Sequence, residues 1–155
     1  MSEDLTSNAV PTQDERTMAT LAQVLQLVGS WIAPLIILIV RRQSSFVSFH
    51  ALQALLLQTL YMFVMFFCVF GFVMFGFTSF LASSRTNGEP PVAFFFLFPV
   101  IWLVMMGLGV LMIVTGIVYG IKAGRGEWAE YPVLGGLARR ILKLGPGGTP
   151  LPVSS

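Results

Sequence analysis

Charged residues are scarce in this 155-residue chain and are missing from three long stretches. They make up 10% of the residues, against roughly 25% in a typical soluble domain. No Asp, Glu, Lys or Arg lies within residues 17–40, 43–84 or 90–121. A water-soluble helix needs charged or polar residues on its outward face. The absence of charge therefore predicts that these three stretches meet lipid.

Cysteine and histidine occur once each, as Cys68 and His50. A single cysteine allows no internal disulfide, and a single histidine allows no histidine-based metal cluster. The apolar stretches also hold no pair of carboxylates, no HExxH motif and no glycine-rich phosphate loop. These absences predict a non-enzymatic protein with no catalytic residues, no cofactor and no metal. The lack of a long basic tract predicts that nucleic acid is not a partner.

Three long apolar runs are present instead, at residues 21–40, 51–82 and 92–121. A helix rises about 1.5 Å per residue, so even the shortest run just crosses a hydrocarbon core of about 30 Å. We predict an all-α integral membrane protein with three transmembrane helices and a C-terminal amphipathic interfacial helix. Its partners are expected to be the lipid bilayer and a second copy of the chain or another membrane protein.

The first run is marginal as a span because polar residues and a proline interrupt it. On a helical wheel Gln23, Gln26, Ser30 and Pro34 form one stripe, which must face protein or a cavity rather than lipid. Whether this run crosses the membrane or re-enters on the same side stays open.

The two ends of the chain are polar, and the segment before the C-terminal tail is amphipathic. Residues 1–16 and 145–155 are predicted to be disordered, which leaves one membrane domain at 17–144. An interfacial helix is predicted at 133–144, with its cations opposite its apolar face: Arg139, Arg140 and Lys143. This pattern is typical of a helix on an anionic membrane surface, and a solvated tail is the alternative. Trp128 and Tyr131, just before it, are expected to be interfacial anchors.

The uneven distribution of Lys and Arg predicts how the chain is threaded. With three crossings, seven of the nine cations lie on the side of the C-terminus, and two, Arg16 and Arg85, lie on the side of the N-terminus. The positive-inside rule then predicts a multi-pass protein of the bacterial cytoplasmic (inner) membrane, with a cytoplasmic C-terminus and an exported N-terminus. If the first run re-enters, the N-terminus returns to the cytoplasm.

A second polar stripe begins the second run, where His50, Gln53 and Gln58 share one helical face. These side chains would either hydrogen-bond to loop carbonyls or line a wet cavity or conduction path. If the first run crosses, Gln23 and His50 lie near opposite faces of the membrane and cannot meet. Gln58 and Ser30 would lie at a similar depth and could meet.

Three glycines recur every four residues at the end of the third run: Gly116, Gly120 and Gly124. This spacing places small residues on one face of a helix, where another helix can approach its backbone closely. We expect helix packing along this row.

Several short patterns resemble those of a known family. Glu15 to Ala22 carries ER-x-MA-x-LA, Pro34 to Ile37 carries PLII, and Ala129 to Leu142 carries a tyrosine-proline motif before the closing helix. The central motif consists of Phe46, Val47, His50, Gln53, Ala54, Leu55 and Gln58. Together these closely resemble the DUF 4870 family of small bacterial membrane proteins, which belongs with the Tic-twenty-like group.

The resemblance covers roughly Glu15 to Leu144 and departs from the family in two places. The first hydrophobic region is compact where the family often has a glycine-containing insertion. Ser44 and Ser45 replace an acidic residue usually found near the central motif. The resemblance implies an integral membrane protein of undefined biochemical role. It implies a protein-conducting role only through a distant chloroplast import-channel relative, and shared fold is a poor warrant for function.

Two functional hypotheses follow from the residues. In the first, the protein acts through helix–helix association with itself or with a membrane partner, because its spans carry small-residue and polar stripes without a catalytic set. In the second, it is an oligomeric pore or a protein-translocation component, and the polar stripes line the path.

Overall fold

The computed structural model describes residues 10–29, 31–86, 88, 92–145 and 148. Its five elements are all α-helices: α1 (Gln13–Gly29), α2 (Ile32–Val40), α3 (Ser45–Thr86), α4 (Val92–Gly124) and α5 (Leu134–Leu142). The predicted all-α class is confirmed. In the described part of the chain, two stretches are long and apolar enough to cross a membrane: Ser45–Arg85 and Phe95–Gly124. The third predicted span is not shown.

The first apolar run forms two helices instead of one. α1 ends at Gly29, α2 begins at Ile32, and the two helices pack against each other. Pro34 lies in the first turn of α2, where a missing N–H is tolerated, whereas inside one continuous helix it would break the hydrogen-bond ladder. The nine residues of α2 make about 13.5 Å of helix, less than half of a hydrocarbon core of about 30 Å.

The N-terminal helix starts earlier than predicted, so the expected disordered arm at 1–16 is too long. The backbone N–H of Glu15 donates to Thr12 Oγ1 at 3.2 Å, and that of Thr12 donates to Glu15 Oε2 at 2.8 Å. This reciprocal pair is a capping box, which satisfies two backbone donors at a helix start. Residues 1–9 and most of the predicted tail lie outside the described residues.

The second apolar run also belongs to a longer helix, because α3 begins at Ser45 and not at residue 51. Ser44 caps it: the backbone N–H of Val47 donates to Ser44 Oγ at 3.3 Å. Residues 46–54 of α3 are buried, whereas most residues from Thr59 onward are exposed. One helix therefore has a buried first part and a largely exposed later part.

The chain divides into two compact units. The first, which we call the polar-core unit, comprises Met1–Thr59 and Ile113–Ser155. Its apolar core joins Phe49 and Leu52 of α3 to Ala138 of α5 and to Leu144 just after it. A second small cluster is formed by Ala19, Phe46 and Ala123, and the Trp128 side chain packs against both clusters.

The second unit, which we call the two-helix unit, comprises Leu60–Met112. It contains the later part of α3 and the earlier part of α4, whose Phe72 and Phe98 rings lie 5.8 Å apart. Most of its large apolar side chains are exposed; Phe67 is 64% exposed and Leu103 is 73% exposed. Two helices packed together bury only the apolar side chains between them, so the side chains on their other faces stay exposed.

Candidate functional site

Four polar side chains from α1 and α3 meet inside the polar-core unit. Gln23, His50 and Gln53 are each 0% exposed, and Gln26 is 1% exposed. With Tyr131, which is 4% exposed, we call them the buried polar cluster. Polar groups at such depth need hydrogen-bond partners, because an unpaired buried polar group is costly.

His50 and Gln53 hold the segment that connects α4 to α5. His50 Nε2 lies 3.1 Å from the carbonyl oxygen of Glu127, and Gln53 Nε2 donates to the carbonyl oxygen of Ala129 at 3.2 Å. The Tyr131 backbone N–H donates to Gln53 Oε1 at 2.7 Å. The two side chains lie three residues apart on α3, so one helical face matches successive polar groups of the segment.

Gln23 connects α1 to both of these elements. Its Nε2 donates to the carbonyl oxygen of His50 at 3.0 Å, and its Oε1 accepts the hydroxyl of Tyr131. Gln26 Nε2 also donates to Gln23 Oε1, at 3.3 Å. The prediction that Gln23 and His50 cannot meet is wrong in this structure. It assumed that the first run crosses the membrane, whereas α1 lies against the start of α3.

Tyr131 therefore lies in the interior and is not an interfacial anchor. Burial raises the pKa of its hydroxyl above the ordinary value. The hydroxyl therefore stays protonated, and its O–H donates a hydrogen bond to Gln23 Oε1. Its ring meets the Tyr119 ring edge-on at 4.2 Å, and the Tyr119 hydroxyl donates to the carbonyl oxygen of Glu130 at 3.0 Å. Trp128 is half-buried, with its ring 5.2 Å from that of Phe46.

The two ends of the α1–α2 hairpin are fastened together by a second set of contacts, which we call the latch. Arg41 Nη2 lies 2.9 Å from Asp14 Oδ2, and Ser44 Oγ donates to Glu15 Oε1 at 2.6 Å. The hydrogen bond from Ser44, followed by that from the Thr12 backbone, lowers the pKa of Glu15 below its ordinary value. The residues just before and just after the first apolar run are therefore neighbours.

Sequence reasoning missed this latch, although one signal was present. The stretch TQDE at residues 12–15 has the spacing of a capping box and marks a helix start at Gln13. That start places Asp14 and Glu15 in the first turn of α1. The ion pair with Arg41 has no local signal, because it depends on the hairpin turning back.

The predicted glycine row packs against α1. A Cβ atom at Gly116 would lie 3.3 Å from the carbonyl oxygen of Gln23, and one at Gly120 would lie 3.3 Å from Val24 Cγ2. At Gly124 it would lie 3.1 Å from Thr20 Oγ1. Glycine lets α4 approach closely enough for Thr20 Oγ1 to donate to the carbonyl oxygen of Gly120 at 3.2 Å.

The three predicted membrane-surface cations do not share one face. Arg139 forms an ion pair with Glu130, and its side chain is only 19% exposed. Its Nη1 also donates to the carbonyl oxygen of Gly145 at 3.2 Å. Glu130 and Gly145 hold the Arg139 side chain against the protein, so its predicted place on a membrane surface stays a prediction that these contacts do not favour. Arg140 and Lys143 are exposed.

Gln58 and Ser30 are the remaining predicted residues of the two polar stripes. Gln58 is on the same helix as Gln53, one turn further along, and is 7% exposed. Ser30 lies outside the described residues, so its predicted meeting with Gln58 lies outside them too. Among the residues that the structure describes, no group of three or more His, Cys, Asp or Glu could hold a metal ion.

The chemistry of the buried polar cluster is hydrogen bonding between chain segments. Its amide and imidazole groups join α1, α3 and the segment 127–131, and most of their polar atoms are occupied by one another or by carbonyls. Within the part of the chain that the structure describes, Gln26 Oε1 and His50 Nδ1 have no hydrogen-bond partner. The contacts of the cluster are those of a hydrogen-bond network that joins chain segments to one another.

Most of this chain matches the sequence model of a known protein family. Residues 14–138 match the family model described as the MamF/MmsF magnetosome magnetite crystal formation protein family. The resemblance to DUF 4870 and the Tic-twenty-like group is therefore corrected, because the model that matches is a different one. No curated protein and no solved structure matches the chain.

Proposed function

Because this chain belongs to the magnetosome magnetite crystal formation protein family, we propose that it is a non-enzymatic integral protein of the magnetosome membrane. It supports formation of the magnetite crystal through helix–helix association, with itself or with a membrane partner. The magnetosome membrane derives from the cytoplasmic membrane, so the predicted location in a bacterial inner membrane is compatible with it. In the described residues no observation favours the pore hypothesis, because most polar atoms of the buried polar cluster bind one another or backbone groups.

The observation that carries this proposal is the exposed apolar surface of the two-helix unit. Leu103 is 73% exposed, Phe67 is 64% exposed and Phe66 is 60% exposed. Removing apolar surface from water is worth about 25 cal/mol per Å², so such a surface is stable only where lipid or other helices cover it. Residues 60–82 of α3 make about 34 Å of helix, which suits a hydrocarbon core of about 30 Å.

The latch supports a particular threading of the chain. A crossing helix would separate Asp14 from Arg41 by the membrane thickness, whereas their charged atoms lie 2.9 Å apart. We therefore propose that the first run re-enters and that only α3 and α4 cross. Both termini are then cytoplasmic, which differs from the exported N-terminus that three crossings imply.

This threading also sorts the cations more unevenly than three crossings do. Of the nine Lys and Arg residues, Arg85 alone lies at the far end of α3, and eight lie on the side of the termini. Three crossings divide the same residues seven to two. The positive-inside rule favours the larger asymmetry.

Cysteine labelling tests the threading in intact cells of a bacterium that forms no magnetosomes, where the chain lies in the cytoplasmic membrane and the far side of that membrane is open to added reagents. In a Cys68→Ser background, single cysteines replace Gln13, Gln43, Gly88 and Gly136, one at a time. We expect Gly88→Cys to react with an impermeant maleimide from outside, and the other three to react only after permeabilisation. Labelling of Gln13→Cys from outside, with Gln43→Cys protected, would restore three crossings.

A genetic experiment tests the function. In a magnetite-forming bacterium, deletion of the gene should change crystal size or shape in electron micrographs, and the wild-type chain should restore it. Gln53→Leu, which disrupts the buried polar cluster, should fail to restore it. Arg125→Gln, a change at an exposed cation, should restore it fully. Unchanged crystals after deletion would contradict the proposal.

Crosslinking tests the helix–helix association separately. Single cysteines at Phe67 and Leu103, both exposed in the two-helix unit, are placed in the Cys68→Ser background and oxidised in native membranes. At least one should yield a crosslinked dimer or a crosslink to another membrane protein. A chain that stays monomeric at both positions would contradict the association.

A further inference from the structure

α5 is held against the polar-core unit in one orientation. Ala138 is 0% exposed, and it packs with Leu144 against Phe49 and Leu52 of α3. Arg139, on the same side of the helix, is fixed by its ion pair with Glu130. Because these contacts fix the rotation of α5 about its axis, they also determine which of its side chains point away from the protein.

The outward side of α5 carries an apolar stripe. Val133, Leu137 and Ile141 recur every four residues and are 89%, 44% and 53% exposed. Arg140 and Lys143 lie beside this stripe and are exposed. Within the described residues, neither cation has an acidic partner. We call these five residues the α5 outer face.

Two of these residues lie at backbone positions that favour glycine. Val133 precedes α5 with φ 72°, and Lys143 follows it with φ 53° in the left-handed conformation. Lys143 and Leu144 close the helix with backbone N–H bonds to the carbonyl oxygens of Arg140 and Arg139, at 3.3 and 2.9 Å. This is a Schellman motif, in which glycine is the usual residue. Both positions are strained for residues other than glycine. The residues found there, Val133 and Lys143, place an apolar and a basic side chain on the outer face.

We propose that the α5 outer face is a docking surface for anionic phospholipid headgroups. Val133, Leu137 and Ile141 enter the boundary between headgroups and acyl chains, while Arg140 and Lys143 bind lipid phosphates. Charge complementarity selects anionic lipid, and the apolar stripe beside the cations selects a bilayer over an acidic protein. This surface differs from the one expected from sequence, because Arg139 is excluded and Val133 is included.

Fluorescence of a label on the outer face tests the proposal. The full chain, with Cys68→Ser and Leu137→Cys, is labelled with an environment-sensitive fluorophore and reconstituted into phosphatidylcholine vesicles with or without phosphatidylglycerol. With phosphatidylglycerol we expect blue-shifted emission and protection from an aqueous quencher. Without it the label should be accessible to the quencher.

Removing the two cations should reverse the effect of the anionic lipid. Arg140→Gln and Lys143→Gly should each lower the ratio of protected to accessible label about fivefold, since each cation near an anionic surface contributes a similar electrostatic term. Lys143→Gly also relieves the left-handed strain, so loss of folding does not explain its effect. The matched control, Arg42→Gln with Arg125→Gln, removes two exposed cations elsewhere in the polar-core unit and should leave the ratio unchanged.

Three results would overturn the proposal. Equal protection in both lipid compositions would show that anionic headgroups are not recognised. If the quencher reached the label in both lipid compositions, the α5 outer face would not contact the bilayer, and a protein partner would be the remaining occupant. An equal effect of the control pair would show that only net charge matters.

Discussion

The two parts of α3 have the same backbone geometry and opposite surroundings. From residue 46 to residue 54 every side chain is buried, and His50 and Gln53 bind other segments of the chain. From Leu60 to Leu81 the side chains are almost all apolar and mostly exposed. The first part of this helix, which carries His50 and Gln53, therefore faces protein, and its largely apolar later part faces outward. In lipid this is the stable arrangement, because the bilayer covers apolar surface and offers no hydrogen bonds.

The comparison extends to the two units. In the polar-core unit, hydrogen bonds, ion pairs and a small apolar core hold the segments together. In the two-helix unit, what holds the helices is packing such as that between Phe72 and Phe98. Specific contacts of the first kind should be far more sensitive to substitution than exposed side chains of the second kind.

The largest expected difference comes from Gln53→Leu compared with Phe67→Leu. The first variant leaves the carbonyl of Ala129 and the N–H of Tyr131 without their partner, which should lower the free energy of unfolding by about 2–4 kcal/mol. The second changes a side chain that is 64% exposed and should cost less than about 1 kcal/mol. Denaturant unfolding in detergent micelles, followed by tryptophan fluorescence, measures both. Equal losses would remove the distinction between the units.

An intermediate difference is expected between two glycines of α4. At Gly116 a Cβ atom would lie 3.1 Å from Leu27 Cδ2 and 3.3 Å from the Gln23 carbonyl oxygen, whereas at Gly107 nothing lies within 4 Å. Gly116→Val should therefore be less stable than Gly107→Val by about 1–3 kcal/mol. Both variants make the same intrinsic change to a helix, so the difference measures packing against α1. The same unfolding assay applies. Equal free energies of unfolding would mean that α1 shifts to accommodate the valine side chain with no loss of stability.

The smallest effect concerns the pH dependence of the latch. The pKa of Glu15 is lowered in the folded chain from 4.5, so its stabilising contribution is complete above that pH. The contribution is lost as the pH falls through the folded pKa. Glu15→Gln should remove this dependence, and Ser44→Ala should reduce it, because the Ser44 hydroxyl is the largest cause of the shift. Free energies of unfolding measured across this range should show a shallower slope in both variants. A slope identical to wild type would mean that the latch does not contribute.

Much of the fold could be predicted from local patterns. Helical class follows from long apolar runs, and the absence of charge in them predicts contact with lipid. The break in the first run was harder to predict. Its length matches one crossing helix, and the residues that weaken that interpretation do not show where the chain turns: Gln23, Gln26, Gly29, Ser30 and Pro34. The capping box at Thr12 marks where α1 starts but carries no information on where it ends.

Four members of the candidate site stand out in the sequence, whereas the fifth, Tyr131, and the contacts among them do not. Gln23, Gln26, His50 and Gln53 are conspicuous because they are polar residues in apolar runs. The partners of His50 and Gln53 are backbone groups of residues 127–131, and any residue can present a carbonyl or, proline excepted, an N–H. The contacts of Arg139 were not predictable either. Its helical position suggested that the side chain points outward, whereas its ion pair with Glu130 holds the side chain against the protein.

The amino-acid order alone determined that this protein is helical and predicted that its long apolar runs meet lipid, since both depend on composition and on spacing along one helix. Only the tertiary structure decided that the first run turns back and that Gln23 meets residues 27 and 108 positions away. The physical reason is that a helical period tells which side chains share a face. Which other segment covers that face depends on how the whole chain closes on itself.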